Sequence, residues 1–305
     1  MLSFILRRLL IIIPMALLVV TVTWGLIRLA PGSFYDDEKK LPPAIEANIK
    51  AKYGLDKPWY TQYFLMIGNV VKGDFGDSLK YQGQSVNEII MRHLPYSATL
   101  GLLAYVLALI VGLGAGIIAA LKQNSGWDYG SMALAMFGLS VPNFVLGPVL
   151  VLIFSLGLYL LPPARWGGVA SLILPVLTLS TIYMAYIARL TRAGMLEVMR
   201  SDYIRTARAK GLDEKTVLIK HGLRGGIIPV VSYTGPALAG LLAGTVVVER
   251  VFAIPGLGNI FIQAVNNRDE PLILGIVAFL SLLIMVFNLL VDISYGFLDP
   301  RIRYE

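Results

Sequence analysis

The sequence lacks cysteine altogether, which excludes disulfide bonds and thiolate metal sites. Its two histidines, His93 and His221, stand far apart in the chain and do not suggest a cluster of metal ligands. There is no Gly-Lys dipeptide, and hence no phosphate-binding P-loop. We therefore predict no catalytic residue, no metal site and no cofactor in this chain. Any energy that drives its activity must come from outside.

Charged residues are scarce as well. They make up 15% of the 305 residues, whereas 56% are hydrophobic, and the mean hydropathy is +0.71. This composition is typical of an integral membrane protein. The net charge of +7 would also suit a nucleic-acid-binding protein, but the basic residues cluster between apolar runs, where membrane topology explains them better. We predict membrane lipid as a partner, and no nucleic acid.

Six apolar runs predict an all-α integral membrane fold with six transmembrane helices. The runs lie at residues 9–29, 100–121, 131–161, 172–187, 227–248 and 272–291. On this basis the predicted parts of the chain are an N-terminal transmembrane helix (1–30), an intervening segment (31–96), a core of five helices (97–295) and a tail (296–305).

The distribution of charge predicts the topology. Nine basic residues stand against four acidic ones between residues 189 and 224, whereas acidic and basic residues balance in segment 31–96. The positive-inside rule therefore places the basic stretch and both termini in the cytoplasm, and segment 31–96 outside.

Segment 31–96 is long for a loop and predicts a small extracytoplasmic helical subdomain. Pro42-Pro43 opens one predicted helix, which Gly54 closes. Pro58 opens another, whose apolar side carries four aromatic residues, Trp59, Tyr60, Tyr63 and Phe64. Residues 85–88 (SVNE) predict a capping box. The segment either caps the helix ends or offers a surface to an external partner.

Glycine and proline predict packing faces and bends within the spans. Gly112 and Gly116 form a small-xxx-small face suited to close helix contact, while Pro142 and Pro148 should break or bend the third span. Asn143 and Glu249 are candidates for a pore or gate, because polar groups inside a bilayer are costly. Glu249 lies near the end of a span, where we expect water to reach it.

The basic stretch 201–224 predicts two short helices joined at a glycine. Ser201 or Asp202 can cap a helix that runs to Lys210, and Gly211 stands where a left-handed residue would end it. Asp213 then offers a second cap. Ile204, Ala207 and Gly211 share one face. This loop either only sets the topology or docks into a groove on a soluble partner.

Several runs of residues resemble the ABC-importer permeases of the dipeptide, oligopeptide and nickel family. YIRTARAKGL (203–212) and HGLR (221–224) are similar to the coupling loop of that family. The family's other motifs follow in order over nearly the full length, including GDFG (73–76), ERVFAIPGLG (249–258), NRD (267–269) and LDPRIR (298–303). The resemblance is closest to the first, or B, permease subunit of oligopeptide importers.

The resemblance implies the type I ABC-importer permease fold and a non-catalytic subunit that forms half of a peptide pore. The implied partners are a second homologous permease subunit, two cytoplasmic ABC ATPases that bind ATP and Mg²⁺, and an extracytoplasmic substrate-binding protein. The implied location is the bacterial cytoplasmic membrane. A dipeptide, a nickel chelate or a peptide-like antibiotic are alternative substrates, and a stand-alone secondary transporter is a less favoured alternative.

There are two sets of candidate residues, of which the resemblance assigns the first, while the second combines two polar residues of the spans with two glycines of the resemblance motif. The predicted ATPase-coupling residues are Arg205, Thr206, Ala207, Arg208, Gly211, Leu212, His221 and Leu223. The candidates for a pore or gate are Asn143, Glu249, Gly256 and Gly258. Because Pro255 is followed by two glycines within three residues, we also expect a tight turn from Pro255 to Gly258.

Overall fold

A computed structural model describes residues 2–29 and 56–298 of the chain. Within these ranges the secondary structure is helical, apart from turns, irregular connections and one isolated β-bridge between Asp77 and Ser85. The predicted all-α fold is therefore confirmed for these ranges. The helix predicted between Pro42 and Gly54 and the tail from residue 299 onward lie outside the described residues.

The helices of the described ranges are numbered here in chain order. They are α1 (Leu2–Leu29), α2 (Trp59–Val71), α3 (Val86–Leu121), α4 (Gly126–Ser140), α5 (Asn143–Leu150, continued by a π-helix, Val151–Gly157), α6 (Val169–Met199), α7 (Asp202–Ala209), α8 (Glu214–Thr216, a π-helix Val217–Gly222, and Leu223–Gly226), α9 (Ile228–Val251), α10 (Leu257–Asn266) and α11 (Glu270–Leu298).

Four of these helices are long and apolar enough to cross a membrane, namely α1, α3, α6 and α11. Two further candidate spans are bent. Helices α4 and α5 meet at 107°, and α9 bends by 47° between Leu241 and Thr245. The described residues thus provide four candidate spans, or up to six when each bent pair counts as one span. Six is the number that the apolar runs predict.

The break in the third predicted span lies at Pro142 and not at Pro148. Val141 is extended (φ −95°, ψ 115°), as expected for a residue that precedes proline, and α5 begins at Asn143. Pro148 lies inside α5. Pro148 does not break the span, since the helix continues past this residue and changes to π-helical bonding from Val151 to Gly157.

Helix α3 begins earlier than the predicted second span. The hydroxyl oxygen of Ser85 accepts a hydrogen bond from the N–H of Glu88 (3.2 Å), which satisfies one of the free amides at the helix start. From Val86 the helix runs through Pro95 to Leu121. The last residues of segment 31–96 therefore belong to the same helix as the second span.

The chain divides into two compact units, and the larger comprises Tyr96–Pro255 with the residues from Val286 onward. Its core joins α3, α6 and α9 through buried side chains such as Leu100, Leu179 and Val248. Burial of these side chains brings the backbones of the three helices together around one apolar centre.

The glycine face of α3 packs against α6 in this unit. A Cβ atom added to Gly112 would lie 2.8 Å from the Cβ of Ile187, and one added to Gly116 would lie 2.5 Å from the Cβ of Thr191. Real Cβ atoms do not approach so closely. The predicted close packing at Gly112 and Gly116 is confirmed, and its partner is another helix of the same chain.

The second unit comprises Leu2–Pro95 and Gly256–Met285. Its main core joins α10 to the first turns of α3 and α11, through Val86, Ile89, Leu257 and Leu272 among others. A smaller cluster packs α2 against α1 and α11, with Val20 and Leu274 buried in it.

A buried carboxylate closes one end of the second unit. Asp269 is fully buried and accepts hydrogen bonds from the Ser78 hydroxyl (2.5 Å) and from the backbone amides of Leu79 (3.1 Å), Lys80 (3.2 Å) and Leu272 (3.3 Å). Four donors offset the cost of burying this polar group. Asp269 thereby caps α11 and holds residues 78–80 against its first turn.

We expect Gly116→Leu to destabilise the chain because the new side chain would overlap Thr191. Overpacking of this kind costs about 1–3 kcal/mol, so the thermal unfolding midpoint of the purified protein should fall by several degrees. Gly114→Leu is the matched control, because nothing lies within 4 Å of a Cβ atom at Gly114. Equal midpoints for the two variants would contradict the α3–α6 contact.

Candidate functional site

Helix α7 begins the basic loop, but neither predicted cap works as expected. The hydroxyl of Ser201 donates to the carbonyl of Val198 (2.6 Å) and makes no capping bond. Asp202 lies in the first turn and forms an ion pair with Arg205 (2.5 Å). The predicted side-chain cap is wrong, because Ser201 completes the end of α6 instead of the start of α7.

Gly211 ends α7 in the predicted left-handed conformation, with φ +79°. The N–H of Gly211 donates to the carbonyl of Arg208 (2.9 Å), and the N–H of Leu212 donates to the carbonyl of Ala207 (3.4 Å). These two bonds form a Schellman motif, in which a glycine after the helix is the preferred residue. The prediction for Gly211 is confirmed.

Asp213 caps the next helix as predicted. Its carboxylate accepts a hydrogen bond from the N–H of Thr216 (3.1 Å), and hydrogen bonds from Thr216 hold the pKa of Asp213 below its ordinary value. An ion pair between Arg208 and Glu214 (2.7 Å) then joins α7 to α8 across the glycine turn. Both partners are exposed, so this pair contributes little to stability.

The small face of α7 is covered by the chain itself. Ile204 is fully buried and Ala207 is 6% exposed, and both pack against Val217 of α8 and Val198 of α6. We predicted that this face would enter a partner's groove. That prediction is wrong for Ile204 and Ala207, because α8 already occupies the space beside them.

The exposed part of the loop lies around Gly211. Five of the predicted coupling residues are exposed, namely Arg205, Thr206, Arg208, Gly211 and Leu212. His221 and Leu223 are half-buried, and Ala207 is buried. The side chains of Tyr203, Leu212 and Ile219 add exposed apolar surface to the loop.

A glycine contact that the sequence reasoning missed seats α8 on α6. A Cβ atom added to Gly194 would meet the carbonyl oxygen of Gly226, and one added to Gly226 would meet the side chain of Met195. These overlaps are with backbone and a buried methionine, so only glycine allows this approach. The signal in the sequence was the run GG at 225–226, directly after the resemblance motif HGLR.

An ion pair near the loop, between a buried carboxylate and a partly exposed arginine, was also missed. Asp128, at the start of α4, is 2% exposed and accepts two hydrogen bonds from Arg192 of α6 (2.6 and 2.8 Å). The backbone amide of Asn124 donates a third (3.0 Å). This bidentate arrangement fixes both position and orientation. It joins α4 to α6 seven residues before α6 ends.

Two of the candidates for a pore or gate lie in the larger unit. The amide oxygen of Asn143 is buried without a hydrogen-bond partner, at the sharp bend where α5 begins. Glu249 is fully buried and accepts a hydrogen bond from the Ser97 hydroxyl (2.6 Å). The expectation that water reaches Glu249 is wrong, because α3 covers it.

Gly256 and Gly258 lie in the second unit and are buried. Gly256 is extended (φ −93°, ψ 178°) and precedes α10, which begins at Leu257. The tight turn expected from Pro255 to Gly258 is therefore wrong. The chain turns earlier, where Ala253 has φ +50° and Ile254 N–H donates to the carbonyl of Glu249 (2.9 Å).

Among the described residues no group of three or more His, Asp or Glu side chains is arranged to hold a metal ion. The contacts in the loop instead connect short helices to one another and to the end of α6. Two short helices share an apolar contact, an ion pair and a left-handed glycine turn, and both are fixed to the end of a long transmembrane helix.

Comparison with solved structures defines the fold as that of the type I ABC-importer permeases. The structure titled "Inward facing conformations of the MetNI methionine ABC transporter" matches with a TM-score of 0.59 and 16% identity, over 69% of this chain and 96% of that chain. The structure titled "Crystal structure of an amino acid ABC transporter with histidines" matches with a TM-score of 0.54 and 18% identity, over 69% and 94%.

Residues 112–304 match the family described as "Binding-protein-dependent transport system inner membrane component". The chain belongs to this family, and it is a membrane permease. It is 46% identical over the full length of both chains to the oligopeptide transport system permease protein OppB of Haemophilus influenzae and to that of Escherichia coli K12. It is 42% identical to the dipeptide transport system permease protein DppB of Bacillus subtilis, over 94% of this chain and 93% of that protein.

We expect Ala207→Asp to separate α7 from α8, because it would bury an unpaired carboxylate against Ile204 and Val217. Limited trypsin digestion of the purified protein should then cut after Arg208 and Lys210 at least about tenfold faster, since local opening governs cleavage. Thr206→Asp is the matched control at a neighbouring exposed position. Equal cleavage rates in both variants would show that Ala207 is not held in this contact.

Proposed function

We propose that this chain is a permease subunit of an ATP-driven peptide importer and forms half of its translocation pore. The observation that carries the proposal is identity of 46% over the full length to proteins named oligopeptide permeases, and of 42% over 94% of this chain to one named a dipeptide permease. Nickel chelates and peptide-like antibiotics rest on the family resemblance alone. A stand-alone secondary transporter is disfavoured, because the family is a component of binding-protein-dependent systems.

The proposal includes the partners that such a component needs. A second homologous permease subunit would complete the pore, two cytoplasmic ABC ATPases would bind ATP and Mg²⁺, and an extracytoplasmic binding protein would deliver the peptide. This chain would then contain no cofactor site and no catalytic group of its own. The basic loop and both termini would face the cytoplasm of a bacterial cell.

In this proposal an ATPase binds the permease at the loop around Gly211. Arg205 and Arg208 are already paired with Asp202 and Glu214, so the loop offers a defined shape more than free positive charge. Exposed Leu212 supplies an apolar anchor beside the glycine turn, and apolar anchors in pockets dominate most interfaces.

Motion of the loop would reach the membrane through α6. Val217 of α8 packs on Val198 of α6, and Gly226 lies against Gly194. These contacts are close and leave little room for slippage. A push on the Gly211 turn would therefore move the end of α6 with it, and α6 packs against α3, α4 and α9.

Gly211→Val tests the coupling role. A β-branched residue at φ +79° costs about 1 kcal/mol or more in backbone strain, while the space around Gly211 within this chain is open. We expect the variant to insert and to pair with its sister permease, but to retain less ATPase on purification and to lose peptide-stimulated ATP hydrolysis in proteoliposomes.

Lys215→Glu is the control for Gly211→Val, because Lys215 is exposed and lies outside the glycine turn. Its ATPase retention should stay close to that of the wild type. Normal coupling in Gly211→Val, or equal damage from both variants, would mean that the loop only sets membrane topology.

Single cysteines test the orientation, since the chain contains no cysteine of its own. We expect Lys50→Cys to react with an impermeant maleimide added to intact cells, and Lys215→Cys to react only after the membrane is opened. Labelling of both positions from the same side would contradict the proposed topology.

Uptake by the reconstituted importer tests the substrate class. With the binding protein, both ATPases and both permeases present, vesicles should accumulate a radiolabelled peptide only when ATP is supplied. Unlabelled oligopeptides should compete more strongly than dipeptides. Competition by nickel chelates alone would replace the peptide proposal with that alternative.

A further inference from the structure

Helix α2 lies beside the membrane span α1 rather than beyond its end. The Tyr63 hydroxyl forms a hydrogen bond with the Thr21 hydroxyl (2.8 Å), and the Tyr63 ring packs edge-on against Trp24 at 5.3 Å. Thr21 precedes the end of α1 at Leu29 by eight residues, which is about 12 Å along a helix axis. The contact therefore lies within the length of the span.

Helix α2 also carries exposed aromatic side chains. Trp59 is 65% exposed and Phe64 is 68% exposed. On α1 itself only 6% of the most apolar window is buried within the chain, and Leu26 is exposed. Since α1 is long and apolar enough to span a membrane, its exposed side chains suit contact with lipid, and the exposed aromatic side chains of α2 add apolar surface beside it. Tryptophan and tyrosine are enriched at the interface between a membrane and water.

A cavity of about 180 Å³ lies in the same unit, between α2, the end of α1, residues 74–79 and the first turns of α11. It is comparable in size to an engineered cavity of ~150 Å³ that holds benzene. Its charged lining consists of one guanidinium, that of Arg28, and three carboxyl groups, those of Asp74, Asp77 and Glu270.

Arg28 is held at this cavity by two contacts. Its guanidinium stacks on the Trp24 ring at 4.6 Å and donates a hydrogen bond to the side chain of Gln62 on α2. A guanidinium held in this way is a preferred partner for phosphate. The carboxyl groups of Asp77 and Glu270 make the same cavity favourable for a cation.

We propose that this cavity binds the headgroup of an amine-bearing phospholipid. The phosphate would pair with Arg28 and the primary ammonium with Glu270 and Asp77, so that a zwitterion meets charges of both signs. The acyl chains would follow the exposed apolar side chains of Leu26 on α1 and Leu65 on α2, which lines the cavity. The site rests on α1 being a membrane span and not on the proposed peptide substrate.

Hydrogen bonding to the carboxylates would distinguish this headgroup from those of other phospholipids. A primary ammonium has three N–H donors for carboxylates, whereas the trimethylammonium of a choline headgroup has none, and a glycerol headgroup has no cation. Charge-assisted hydrogen bonds are the stronger ones. Losing them should weaken binding by about tenfold or more.

Native mass spectrometry of the assembled, delipidated transporter tests the site with three lipids of identical acyl chains, phosphatidylethanolamine, phosphatidylcholine and phosphatidylglycerol. We expect phosphatidylethanolamine to be retained about tenfold better than the other two. Glu270→Gln should remove most of that preference, whereas Arg28→Gln should lower the retention of all three lipids, because each of them carries the phosphate. Glu197→Gln, at an exposed position on α6, is the charge-matched control and should keep the preference.

Equal retention of the three lipids by the wild type would overturn the proposal, and this comparison needs no variant to fold. Retention that the Glu270 and Arg28 substitutions leave unchanged, in variants with a normal unfolding midpoint, would overturn it too. So would displacement of the lipid by a soluble peptide, because the cavity would then take a peptide amine. None of these readings depends on transport, so failure of the peptide proposal leaves them intact.

Discussion

Helix α6 is the surface on which the larger unit is assembled. Glycines on α3, α4 and α8 each bring their backbones against it, at Gly116, Gly138 and Gly226, and a Cβ atom at Gly240 of α9 would meet the Tyr183 hydroxyl. Apolar side chains gain little by leaving lipid for a protein interior, so helices in a membrane associate largely through close van der Waals contact. Small residues make that contact possible. The packing of the unit therefore depends on glycine as well as on large apolar side chains.

The same helix connects the bundle to the basic loop. Helix α6 ends at Met199, three residues before α7 begins at Asp202, and the Asp128–Arg192 ion pair joins it to α4 close to that end. Removing one partner of a buried ion pair leaves the other charge uncompensated. A displacement of the loop must therefore move α4 and α6 together or break this pair. The bend of 107° between α4 and α5 is a place where such a displacement could be absorbed.

Local features of the loop were predictable because they depend on short-range chemistry. Gly211 ends a helix in a left-handed conformation, and Asp213 caps the next helix. Both features depend only on residues close by in the sequence. The role of Ala207 was not predictable in the same way. A helical pattern identifies an apolar face but does not say whether the same chain or a partner covers it. The Asp128–Arg192 pair joins positions 64 residues apart, and no local pattern connects them.

Buried carboxylates show why span boundaries are the weak point of sequence analysis. Glu249 follows an apolar run, so its position suggested contact with water, yet α3 extends far enough to place Ser97 against it. Asp269 is buried too, and backbone amides with one hydroxyl satisfy it. Asp128 instead has a guanidinium. A hydropathy scale assigns a similar cost of burial to all three carboxylates, but the structural role of each depends on the group that it contacts. Asp269 holds the Ser78 hydroxyl and three backbone amides in place beside the start of α11, whereas the Asp128–Arg192 pair joins side chains of two helices, so that a movement of either helix acts on the other.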